Sequence, residues 1–188
     1  MVLLISGKMG SGKTTLANAV ADKWESGGMR KAVLINFADG LYEMHDFCLN
    51  YLNRHGIPTQ KKDRKLLQWL GTEWGREYDA DIWIKILKSR MGDHARYLST
   101  IGYEPRQTLF IIGDARFENE ADAFPEALKI RLECASEVRK QRCTRWTDTG
   151  NHPSETGLDR YFKWNMKFDT TVASTDECVE KLMAVLLP

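Results

Sequence analysis

Three glycines and two lysines fall within eight residues near the start of the chain, Gly7-Lys8-Met9-Gly10-Ser11-Gly12-Lys13-Thr14. Glycines at these spacings let backbone N–H groups curl round phosphate oxygens, and a following helix aims its positive end at the same charge. Lys13 is then the side chain that reaches the β- and γ-phosphates, and the Thr14 hydroxyl ligates Mg²⁺. The run fits GxxxxGK[ST], whereas a dinucleotide fingerprint requires GxGxxG, and GKMGSG has the wrong spacing. The expected chemistry is nucleoside triphosphate binding, with ATP and Mg²⁺ as cofactors. Lys8, Gly10, Ser11, Gly12, Lys13, Thr14 and Thr15 are the expected cofactor-binding residues.

Triphosphate binding leaves hydrolysis and transfer open. P-loop motors often end a strand in Asp followed by Glu, where Asp holds the metal and Glu polarises water. Here the stretch LFIIGDAR places Asp114 after an apolar run, with Ala115 and Arg116 next. Asp114 is a candidate for Mg²⁺ or for substrate, but no adjacent carboxylate is there to activate water. Arg116 suits a second phosphate, since its planar fork pairs phosphate oxygens two at a time. The alternative for Asp114–Arg116 is a structural ion pair at a strand end.

Later, VRKQRCTRW sets Arg139, Arg142 and Arg145 three apart, with Lys140 among them and no acid. On a helix they cover roughly a third of the circumference. They form either a solvated basic face or a lid over residues 136–156 whose arginines meet the transferring phosphoryl group. In the lid reading Lys13, Arg139, Arg142 and Arg145 are the catalytic residues, and TDTGNHPSE supplies a mobile element.

The elements that must position these groups follow from periodicity. Val2–Ser6, Ala32–Phe37, Thr108–Gly113, Leu128–Glu133 and Asp169–Val172 read as strands. Thr14–Glu25, Leu41–His55, Asp63–Leu70, Ile82–Met91, Glu118–Ala123, Ser136–Trp146 and Thr175–Leu187 read as helices, with Ser136 as an N-cap. GTEWGREYDAD, between two of them, reads as helix end, loop and helix start. Strands of continuous apolar character alternating with helices predict an α/β fold. The expected architecture is a P-loop NTPase three-layer sandwich with a parallel sheet of about five strands. Ligands in such folds bind beyond the carboxyl ends of the strands.

Composition limits the remaining classes. The 188 residues suffice for a single domain over 1–188, and 43% hydrophobic with 28% charged residues is ordinary globular usage. A formal net charge of +1 gives no global basic field for nucleic acid or membrane. No apolar run approaches the roughly 20 residues that span a bilayer, and VLLI is too short for a signal-peptide core. A cytoplasmic location is expected. Cys48, Cys134, Cys143 and Cys178 form no CxxC pair and read as reduced thiols.

The middle segment RKLLQWLGTEWGREYDADIW is dense in polar groups and carries Trp69, Trp74 and Trp83. Taken singly, its tryptophans read as core and its charges as surface. Together, beside an ATP loop, they suggest an acceptor site where aromatics stack on a base. The ordered set GKMGSGKTT, RKLLQWLGTE, DIWIK, DARFENE and HPSETGL resembles the phage-type deoxynucleoside monophosphate kinases over nearly the whole chain. LLQxLGTE and DxRxxxE are more specific to that group than the generic phosphate loop.

The resemblance implies an NMP-kinase-like fold with a lid, often dimeric, that moves the ATP γ-phosphoryl onto a dNMP using Mg²⁺, in the host cytoplasm if phage-encoded. It makes Asp39, Arg64, Gln68, Gly71, Thr72, Arg76 and Trp83 candidate dNMP contacts. Asp114, Arg116 and Glu120 close the acceptor side, and Thr14 and Asp114 hold the metal. Where such kinases carry a lysine after the second strand, this chain reads NFADGLYEM with Tyr42. A phosphate contact is either lost there or supplied by Arg76. The rivals are a kinase of another phosphorylated small molecule, such as dephospho-coenzyme A, and a partner-dependent ATP-hydrolysing module.

Overall fold

The computed structural model describes residues 1–143 and 156–187. Five strands form one parallel sheet: β1 (Val2–Gly7), β2 (Lys31–Ile35), β3 (Thr108–Ile112), β4 (Leu128–Glu133) and β5 (Met166–Asp169). Their order is β2-β3-β1-β4-β5, the five-stranded parallel sheet expected from the apolar runs. β1 is central, pairing Leu3 with Ile111 on one side and with Leu128 on the other. The chain leaves β1 towards β2 and later crosses to β4 on its other flank, so the strand order reverses around β1. The carboxyl end of β1 is therefore a switch point, where α/β sheets bind ligands.

Alternation along β1 buries both faces of the sheet. Leu3 and Ile5 join a core with Leu16, Val20 and Trp24 of α1 (Lys13–Glu25) and Val179, Leu182 and Leu186 of α8 (Thr175–Leu186). Leu4, of opposite parity, is equally buried. Helix α8 is held at its start by Ser174 and Glu177, each accepting the other's backbone N–H. Trp24 fills the space between α1 and the sheet at 1% exposure, with its indole N–H donating to Gln107 O at 3.2 Å. Trp24→Ala removes that volume and the bond, an expected cost of about 3–5 kcal/mol. For a chain of this size the melting temperature, followed by circular dichroism, should fall by roughly 10 °C.

The chain divides into two compact units, residues 1–36 with 92–188 and residues 37–91. The larger holds the sheet, α1, α6 (Glu118–Asp122), α7 (Ser136–Arg142) and α8. The smaller is helical: α2 (Phe37–Arg54), α3 (Arg64–Gln68), a π-helical turn (Trp69–Trp74), α4 (Gly75–Tyr78) and the first half of α5 (Ile82–Thr100).

Several boundaries differ from the periodicity: α2 starts at Phe37, where the second strand was expected to end, and α5 runs past Met91 to Thr100. The segment GTEWGREYDAD is no loop at its start: the π turn carries the helical path from α3 into α4. β5 lies at Met166–Asp169 and not at Asp169–Val172. It is an edge strand whose Phe168 is buried between exposed neighbours, so it alternates where the inner strands do not. The β-branched Thr170-Thr171-Val172 run is drawn into a turn by Asp169, whose carboxylate accepts the Thr171 N–H at 2.9 Å. Ala135, not Ser136, caps α7, and its N–H donates to Thr171 Oγ1 at 2.8 Å.

Candidate functional site

The loop between β1 and α1 has the shape expected of a phosphate cradle. Gly10 and Gly12 take positive φ values of 79° and 91°, open to glycine at little cost. Among the described residues no side chain caps α1, and no acid stands in its first turn, so its leading N–H groups can meet an anion. Lys13 Nζ bonds to the carbonyls of Gly7 at 2.6 Å and Lys8 at 3.0 Å, which holds the ammonium inside the loop. Thr14 and Thr15 are exposed on the first turn of α1. These groups fit a magnesium-bound triphosphate: oriented donors, one fixed cation and an exposed hydroxyl.

A cleft of about 570 Å³ opens beside the loop, lined by Gly10, Gly12, Lys13, Thr14, Thr15, Arg142 and Thr170, with Ala173, Ser174, Thr175 and Cys178. Thr170 was invisible as a functional residue in the sequence, where it sat within an apparent strand. Its hydroxyl donates to Ser11 O at 2.9 Å and so buttresses the phosphate loop from the end of β5. The signal available was Asp169-Thr170-Thr171, an acid positioned to turn the chain. Burial raises the pKa of the Cys178 thiol, which keeps this cleft residue protonated and unreactive.

Helix α7 brings Arg139 and Arg142 to the loop, where both hold backbone. Arg139 Nη1 donates to Met9 O and Nε to Cys134 O, each at 3.2 Å. Arg142 Nη2 donates to Thr170 O at 2.9 Å. They thus tie the loop and the β5 turn to α7. Arg145 and residues 144–155 of the expected lid lie outside the described residues.

At the end of β3, Asp114 is half-buried, Ala115 is 3% exposed and Arg116 is exposed. Glu120, 3% exposed, accepts the backbone N–H groups of Arg116 (2.8 Å) and Phe117 (3.2 Å). It shapes the Asp114–Phe117 turn. Asn36 Oδ1 accepts the Gly113 N–H at 3.2 Å, joining the ends of β2 and β3.

Within the smaller unit, Asp63 accepts the N–H groups of Lys65 and Leu66 and starts α3. Arg64 and Gln68 are exposed and four residues apart on α3, hence on one face, and Thr72 is exposed on the π turn. Asp39 is half-buried in the first turn of α2, and Arg76 Nη1 reaches Ala80 O at 3.4 Å. Trp83 is core: at 4% exposure its indole N–H donates to Gly71 O at 3.0 Å, so it positions Gly71 and has no free face for a base. Trp69, Trp74 and Tyr78 are exposed and stacked in series, at 6.1 and 5.9 Å between centroids. At Tyr42, Lys62 Nζ lies 3.1 Å from the hydroxyl and 5.1 Å from the ring centroid. An ammonium group thus stands beside Tyr42 from a residue 20 positions away, a pairing no linear spacing announces.

No family model matches the chain, and no curated protein matches it. Solved structures do. A shikimate kinase from Aquifex aeolicus aligns over 99% of this chain and 96% of its own, at 16% identity and a TM-score of 0.50. A gluconokinase from Sinorhizobium meliloti aligns over 98% and 90%, at 18% identity and 0.51. A shikimate kinase from Bacteroides thetaiotaomicron aligns over 99% and 98%, at 15% identity and 0.51. The α/β fold of the chain is the fold of these P-loop kinases. Among the described residues, no helix is long and apolar enough to cross a membrane.

Proposed function

We propose that the chain transfers the γ-phosphoryl group of ATP to a deoxynucleoside monophosphate, giving a dNDP and ADP. The observation that carries transfer over hydrolysis is at position 115. Ala115 is buried behind Asp114, its carbonyl held by Ser6 Oγ at 3.0 Å, where a water-polarising glutamate would have to stand. The cradle of Gly10, Ser11 and Gly12 holds the triphosphate, Lys8 and Thr15 flank it, and Thr14 and Asp114 hold Mg²⁺. The magnesium ion, when bound, draws charge from the phosphate oxygens. Lys13 opposes the charge that develops on the transferred group, joined by Arg139 and Arg142 of α7 and by Arg145. Asp39, Arg64, Gln68, Gly71, Thr72 and Arg76, with Lys62, present the acceptor, and Arg116 pairs its phosphate. Trp83 and Glu120 act by holding backbone in place. A phosphate acceptor is already anionic, so no general base is required.

A second reading, favoured by the fold shared with structures named shikimate kinase and gluconokinase, is transfer to a small molecule's hydroxyl, with Asp114 as base. One coupled assay of ADP formation separates them. Four dNMPs are run beside AMP, GMP, CMP, UMP, dephospho-coenzyme A, shikimate and gluconate. ADP formed only with added dNMP supports the proposal. ADP formed only with a hydroxyl acceptor supports the second reading, and acceptor-independent ADP indicates a hydrolysing module.

A further inference from the structure

A second cavity, of about 310 Å³, borders the phosphate loop at Lys8 and Ser11 and is walled by Arg131, Leu158, Asp159 and Trp164. Its charges are arranged around one carboxylate. Asp159 Oδ2 lies 3.0 Å from Lys8 Nζ, and Oδ1 lies 2.8 Å from Arg131 Nη2. Two oxygens set between an ammonium and a guanidinium have the charge and spacing of two phosphate oxygens.

Two further observations point the same way. Ser11 Oγ is buried, Ser11 being 1% exposed, yet it has no hydrogen-bond partner among the described residues. Buried hydroxyls are ordinarily satisfied, and an orphan lining a cavity is available to a ligand oxygen. Arg131 is also wired to the acceptor side. Its Nη1 donates to Ser6 Oγ at 3.0 Å, and Ser6 Oγ donates to Ala115 O at 3.0 Å, in the turn that carries Asp114 and Arg116. The Trp164 ring lies 5.9 Å from the same guanidinium, offering an aromatic face beside it. The volume is that of a small ligand site.

We propose that Lys8 and Arg131 form the seat for the acceptor's phosphate group, and that the Asp159 carboxylate fills this seat until the acceptor displaces it. This rests on the reading of a phosphorylated acceptor and adds to it a specific pair of cations and an internal competitor. Arg131, 11% exposed at its side chain, is the fixed member; Lys8 and Asp159, each at 37%, are the movable ones.

Inorganic phosphate, titrated calorimetrically into the full chain saturated with a non-hydrolysable ATP analogue and Mg²⁺, reads this seat directly because the glycine loop is then filled. Asp159→Asn is expected to tighten phosphate binding about tenfold, as removal of a competing anion requires. Adding Arg131→Gln should abolish the gain, whereas Arg131→Lys should keep part of it and provides the comparison if the glutamine variant does not fold. In steady-state kinetics, Arg131→Gln should raise the acceptor KM about tenfold or more and leave the ATP KM unchanged. Phosphate affinity indifferent to Asp159→Asn, or a gain that survives Arg131→Gln, overturns the seat. Intact phosphate binding without dNMP-dependent ADP formation removes the dNMP reading and leaves the seat standing.

Discussion

Lys13→Ala is expected to lower dNMP-dependent ADP formation by about 10³-fold or more while the fold stays in place. The reason lies in where the ammonium is held. Its Nζ is fixed by the carbonyls of Gly7 and Lys8, inside the curve of the loop and at the head of α1. A charge fixed there needs no reorganisation when the phosphoryl group moves, and alanine has nothing to put in its place. The two carbonyls lose a donor but sit in a part-buried loop that water reaches, so the stability cost is about 1 kcal/mol. Circular dichroism should show a melting temperature within roughly 3 °C of the parent. Full activity in this variant would falsify the role, and a collapsed melting curve would show that Lys13 holds the loop together.

The phosphate-loop shape was legible because its determinants are consecutive. A glycine run after an apolar strand and before a helix encodes strand, turn and helix start in one stretch, and the structure places all three there. Helical spacing likewise put Arg139 and Arg142 near one another on α7. It did not say that they bind Met9 O and Thr170 O, since those partners arrive through the sheet order. The π turn was hidden because WLGTEW contains a glycine and reads as an interruption, although Asp63 at one end and Trp83 beneath keep the chain helical. Tyr42 with Lys62, and Arg131 with Asp159, are pairs distant in sequence. Each combines residues that look like ordinary surface charge until the fold brings them together. Edge strand β5 was misplaced for a related reason: its burial is one-sided, and a neighbouring β-branched run gave a stronger apparent signal than Met166–Asp169 itself.

Gly10→Ala is expected to raise the ATP KM by about 10²-fold, far more than the same change at Gly12. Both glycines sit in the left-handed region, at φ 79° and 91°, so alanine costs roughly 1–2 kcal/mol of backbone strain at either position. The difference is space. Among the described residues a Cβ on Gly12 meets nothing within 4 Å, whereas one on Gly10 falls 2.7 Å from Arg139 O and 2.9 Å from Cys143 Sγ. The Arg139 carbonyl belongs to α7 and cannot swing aside as a side chain would. Either the loop moves off the helix or α7 moves off the loop, and both break the Arg139–Met9 bond that holds them together. A shift of about 1 Å in the N–H groups is enough to lose the aligned donors on which triphosphate binding depends. Gly12→Ala therefore measures strain alone, with an expected loss of about tenfold, and the ratio of the two KM values isolates the packing of α7 on the loop. Equal losses at the two positions would mean that α7 does not set the shape of the cradle.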